Sequence, residues 1–172
     1  MLVQLDINDL IDYTQWDRDK WHALLRRQDP SLLTIETGPH GDGRFRTIGD
    51  VIRHIFSAEK RYIERLTDRP LTDTSVVPAD SLDALFQLGD ESRYELRRFV
   101  ETYPASKWNA PLQFQLMGWS LTATPRKVIV HILMHELRHW AQIATMLRLH
   151  GITDDSHDFL FSPVLGGALA KA

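Results

Sequence analysis

The chain predicts an all-α fold, a bundle of four helices. Two observations carry that prediction. Four segments of about twenty residues place apolar side chains at the i, i+3, i+4, i+7 spacing of one helix face. Capping residues or turn and breaker residues bound these segments, and only one of the connections alternates like a strand. A helix of that length is about 30 Å long, and four amphipathic rods bury their stripes by packing around a shared core.

The first helix is predicted over 8–28, with Leu10, Ile11, Tyr13, Trp16, Leu24 and Leu25 as its stripe and Asp29-Pro30 as its stop. Residues 31–46 read as a loop with a short extended piece around Leu32-Leu33-Thr34-Ile35. The second helix starts at Thr47, where Thr47 and Asp50 resemble a capping box, and its stripe is Ile48, Val51, Ile52, Ile55, Tyr62, Ile63 and Leu66. Asp68-Arg69-Pro70 ends it. Asp80-Ser81 caps a third helix, 82–102, with Leu85, Phe86, Leu88, Leu96, Phe99 and Val100 apolar. The run 111–117 alternates apolar and polar, predicting a short strand or extended loop. Thr122 or Thr124 caps the fourth helix, Pro125 to about Leu149, and Gly151 supplies a left-handed stop. No repeat or domain boundary interrupts the 172 residues, so one domain is expected, its core about 5–152 and a tail at 153–172.

Composition excludes several function classes. The net charge of −3 gives no basic excess for nucleic acid or an acidic membrane. No cysteine is present, which removes disulfides, thiolate metal sites and a cysteine nucleophile. MLVQLDINDL lacks the features of a signal peptide, and no run has the eighteen or so uncharged apolar residues of a membrane helix. The expected location is a reducing cytoplasm.

Eight histidines are the informative count. His22, His40, His150 and His157 read as structural or solvent-facing. His131, His135 and His139 recur every fourth residue on the fourth helix, and residues four apart stack on one face. His135 and His139 lie on its core-facing stripe with Val128, Ile132, Ile143 and Met146. Buried imidazoles need partners, and a shared cation supplies one. His131, a turn earlier, is a weaker candidate, because the face curves away from one ion over two turns. His54 borders the stripe of the second helix. It is either a core histidine bonded to a carbonyl or a third ligand.

His135-Glu136-Leu137-Arg138-His139 also spells the zinc-protease pattern. Its extension fails, since Gln142 stands where glycine is needed and Thr145 where histidine is needed. No glutamate follows Glu136 as a downstream ligand. An upstream ligand fits better: His54 with His135 and His139 makes a three-histidine site with open positions. Zinc, nickel, cobalt or iron would suit three nitrogens.

Ile48-Gly-Asp-Val-Ile-Arg-His54-Ile-Phe-Ser-Ala-Glu59 and the run from His131 through Gln142 to Gly151 resemble the DinB-like superfamily. The resemblance covers about residues 5–152. Trp140-Ala141 stands where many relatives have Arg-Gly. It implies an up-down-down-up bundle binding one divalent ion, zinc or nickel first, with iron, cobalt or manganese as others, through His54, His135 and His139. Some relatives are thiol S-transferases using bacillithiol or mycothiol, one branch holds a maleylpyruvate isomerase, and the founding member is induced by DNA damage. The implied activity is transfer of a low-molecular-weight thiol to an electrophile. Metal-dependent hydrolysis is an alternative, and a non-enzymatic stress-response or structural bundle a further one. Gln142 is a candidate to orient a ligand or a metal-bound water, or a surface glutamine. Glu136 is a candidate general base, or a surface residue. Homodimers occur in the family, and Tyr13, Trp16 and Trp21 serve either a dimer interface or packing within the bundle.

Overall fold

The computed structural model describes residues 6–40, 43–116, 118–153 and 156–166. Its four long helices are α1 (Ile7–Arg26), α2 (Ile48–Leu66), α3 (Leu82–Thr102) and α4 (Pro125–Leu149). Each begins where a side chain can satisfy the free amides of the first turn. Asp6 and Asp9 form a capping box on α1, and Thr47 and Asp50 form the expected one on α2. Ser81 caps α3 and Thr124 caps α4, each bonding an amide three residues on. Asp68 (φ 52) and Gly151 (φ 75) turn the chain out of α2 and α4 in the left-handed region.

Side-chain pairs fix the directions. Arg26 meets Asp83 and Asp12 meets Arg97, so α1 and α3 run antiparallel. Phe56 meets Phe86 and Lys60 meets Glu95, so α2 and α3 run parallel. Arg18 meets Glu136 and Trp21 meets Trp140, so α1 and α4 run parallel. The order is therefore up, down, down, up. A parallel neighbour needs a connection that returns along the whole helix, and residues 67–81 make it. That segment crosses the start of α2 at Gly49, where a Cβ would lie 1.8 Å from Ala79 O. Only glycine lets the crossover pass so close.

The connection between α3 and α4 carries the expected strand, β1 (Leu112–Leu116), and a second one beyond the expected run, β2 (Trp119–Ala123). They pair antiparallel, with Gly118 (φ 81) in the turn. Two 3₁₀ turns, Pro30–Thr34 and Gly38–His40, follow α1, and Glu36 bridges to Thr47 in place of a true strand.

The core has two apolar clusters. One surrounds Trp21, Phe56, Phe86 and Trp140; the other surrounds Ile11, Ile63, Leu96, Ile129 and Leu133. A layer of charge separates them. Arg18, Glu59, Arg93 and Glu136, one from each helix, are at most 4% exposed. Glu136 accepts from Arg18 Nε at 2.9 Å, from Arg93 Nη2 at 2.6 Å and from Trp140 Nε1 at 3.2 Å. Glu59 accepts from both arginines and from Ser92 Oγ. Two guanidinium and two carboxylate groups cancel, so this buried layer is neutral and bonded throughout.

Two of the three first-helix aromatics, Tyr13 and Trp21, pack within the chain. Trp21 stacks on Trp140 at 5.2 Å, and residues of the tail cover the same face: His157 stacks on Trp21, and Phe159 meets Tyr13 edge-on. Asp17 and Tyr13 hold that tail by bonds to His157 Nδ1 and its carbonyl. Packing within the chain therefore accounts for Tyr13 and Trp21. Among the described residues no helix is long and apolar enough to cross a membrane.

Candidate metal centre

Because α2 and α4 are antiparallel neighbours, His54 in the middle of one faces His135 and His139 in the middle of the other. Position four apart on α4 brings the last two together, while His54 arrives from a residue 81 positions before His135. The Nε2 atoms of His54 and His139 each lie 3.1 Å from Nε2 of His135. Two nitrogens bound at about 2.05 Å to one tetrahedral ion would be about 3.3 Å apart. Three donor atoms, one from each residue, fall within 4.8 Å of one another, and among the described residues no other such group of histidine or carboxylate donors forms. The donor set fits a divalent ion.

The protonation of the rings fits it too. Gln142 Oε1 lies 2.6 Å from His139 Nδ1. A carbonyl oxygen only accepts, so Nδ1 carries the proton and Nε2 presents its lone pair to the cluster. Burial, then the charges of His139 and His54, push His135 down to about 3, so its ring is neutral near pH 7.

The cluster opens on a cavity of about 620 Å³. One wall is a single face of α2, residues 54, 57, 58, 61, 62 and 65; α4 adds His131, His135 and Arg138, and the loop and hairpin add Arg44, Phe45 and Leu116. Phe45 stacks on His54 at 4.2 Å and closes that side.

A sequence profile of the DinB family matches residues 1–165. The chain belongs to the DinB family. No curated protein sequence matches it.

The other predicted site residues of this DinB-family chain separate. His131 lines the cavity and packs edge-on against Tyr62 at 5.2 Å, outside the group of three. Gln142 is beside His139, as expected of a residue one turn on. Glu136 corrects both readings made of it. It is neither at the surface nor beside the histidines: at 2% exposure its carboxylate is committed to Arg18, Arg93 and Trp140 in the ionic layer. Burial alone would raise its pKa; the two arginines overcome that and hold it below the usual carboxylate range. The reason is rotation. Position 136 is one residue, about 100°, around the helix from 135, which points it into the bundle centre.

The ionic layer itself was missed, and a signal for it exists. The series 129, 133, 136, 140, 143 and 147 on α4 and 11, 14, 18, 21 and 25 on α1 alternate steps of three and four. All of these positions are buried. Glu136 and Arg18 occupy centre positions in series that are otherwise mostly apolar. The opposite charges at those positions were the clue.

Proposed function

We propose that this chain is a metal-dependent enzyme that joins a low-molecular-weight thiol to an electrophile. The observation that carries the reading is the convergence of three Nε2 atoms at the edge of an open cavity. Three protein ligands leave coordination positions for a substrate. A divalent ion held there, zinc or nickel foremost, would lower the pKa of a thiol beside it. His54, His135 and His139 would hold the ion, with Gln142 fixing the tautomer of His139. Overall the thiol S–H bond breaks, sulfur bonds the electrophilic carbon, and the leaving group departs with its electron pair while the proton goes to solvent.

Metal-dependent hydrolysis is the second reading, since an ion on three histidines would also bring a bound water towards neutral pKa. A water nucleophile is commonly served by a carboxylate base, and Glu136 is committed to the ionic layer. Among the described residues no carboxylate lines the cavity.

Metal analysis of untagged protein, paired with a conjugation assay, tests the reading. Expected is one equivalent of ion, lost in His54→Ala and in His135→Ala, and conjugation of a generic electrophile that depends on it. Full metal retention in His54→Ala overturns the three-histidine site. Metal present with ester hydrolysis but no conjugation overturns the thiol reading, and metal with neither activity favours a structural or binding role.

A further inference from the structure

The cavity beside the histidines is built of positive charge. Arg44, Arg61, Arg65 and Arg138 line it, and no described carboxylate does. The bulk composition gives no hint of this, since the whole chain carries a net charge of −3. Three of the arginines, Arg61, Arg65 and Arg138, pair with no carboxylate among the described residues, although Asp50 and Asp73 line the adjoining groove that Arg61 also borders. Asp50 is bonded to Arg53, and Asp73 to Ser75. Arg138 Nη2 lies 3.2 Å from His139 Nε2, within donating reach of its lone pair, so its charge stands beside the cluster. Arg65 lies over the Tyr62 ring at 5.6 Å and bonds the Arg61 carbonyl, which fixes it on the wall. Burial, then the neighbouring charge of Arg61, lowers the pKa of Arg65, so the guanidinium is held against its preference.

A second observation points the same way. Ser57 Oγ is buried on this wall and has no hydrogen-bond partner among the described residues. It lies one turn beyond His54 and one turn before Arg61, on the same face of α2. A buried hydroxyl without a partner is costly unless a ligand completes it.

Neutral imidazoles would leave a divalent ion with its full charge. Such an ion, clustered guanidinium groups and an unsatisfied hydroxyl would share one cavity with no described carboxylate on its wall. We infer that the substrate is a small oxyanion, a molecule bearing carboxylate or phosphate, recognised by Arg61, Arg65, Arg138 and Ser57 beside the three histidines. Guanidinium forks match carboxylate and phosphate oxygens in pairs, which suits them to this task. The inference rests on the metal-site reading for its ion and extends it to the substrate.

Calorimetric titration separates the two. Zinc-loaded protein is titrated with mercaptosuccinate, which carries two carboxylates, with 1-thioglycerol, which is neutral, and with cysteamine, which is cationic. Mercaptosuccinate is expected to bind at least tenfold tighter than either. The Arg61→Gln/Arg65→Gln variant should lose at least tenfold for mercaptosuccinate alone, with zinc content unchanged, because neither residue supplies a ligand atom. Ser57→Ala should lose about threefold, and 1 M salt should weaken mercaptosuccinate but not thioglycerol. Succinate and inorganic phosphate titrated into metal-free protein distinguish carboxylate from phosphate recognition. Arginine-dependent binding there sustains the inference even if the thiol reading fails. Equal affinity for all three thiols, or a preference untouched by removing both arginines, overturns it while leaving the metal site standing.

Discussion

Glu136→Gln removes one negative charge from the ionic layer without changing the shape of the side chain. In the wild type two guanidinium groups face two carboxylates, all buried. The variant leaves Arg18 and Arg93 with Glu59 alone, a net buried positive charge. It also turns a pure acceptor into an amide whose NH₂ must face arginine N–H groups or Trp140 Nε1, donor against donor. Removing one partner of a buried pair costs about 3–5 kcal/mol. For a domain of this size about 1 kcal/mol shifts Tm by roughly 3 °C, so the fall should be about 9–15 °C. Thermal denaturation followed by circular dichroism measures it. The same preparation, kept cool, should bind metal and catalyse the proposed conjugation as the wild type does, because the Glu136 carboxylate is bonded to Arg18, Arg93 and Trp140 instead of the histidines. A variant with unchanged Tm but lost activity would refute the reasoning and return Glu136 to the chemistry.

Gln142→Leu removes the acceptor that fixes His139, and metal affinity should fall about 10–100-fold in competition with a chromogenic chelator while helicity is kept; unchanged affinity would deny Gln142 that role. Gly49→Ala drives a methyl into Ala79 O and should destabilise by about 3 kcal/mol or more in urea denaturation; tolerance would show that the crossover can move. Asp17 is raised above its ordinary value of 3.8 chiefly by burial, which outweighs His157. The folded state therefore holds the proton more tightly, and the stability from this group is largest below 3.8 and declines as pH rises through the raised folded value. The Tm of wild type minus that of Asp17→Asn should accordingly shrink with rising pH, and a constant or growing difference would contradict the assignment.

Much of the fold and half of the site can be read along the chain, for a local reason. Caps at Thr47, Ser81 and Thr124 act within three residues, and the spacing of His135 and His139 follows from helix geometry. The pattern fails where partners come from far away. Strand β2, Trp119-Ser-Leu-Thr-Ala123, alternates apolar and polar as β1 does, but only Ala123 is buried, so the alternation marks no core face and the pairing with β1 sets its register. Spacing leaves Trp21 open between an interface and the bundle; stacking on Trp140 and on His157 of the tail places it in the core.

The sequence by itself determined four amphipathic helices, an absence of thiols and a two-histidine clamp with Gln142 one turn beyond it. These are properties of spacing and composition. Tertiary structure decided which residues meet. It paired α2 against α4, bringing His54 to the clamp, and put four charged residues from four helices in one buried layer. It also gathered scattered arginines around a single cavity. The physical reason is rotation and neighbourhood: one step along a helix turns a side chain by about 100°, enough to separate His135, at the cavity, from Glu136, in the core. Only packing tells which direction faces which partner.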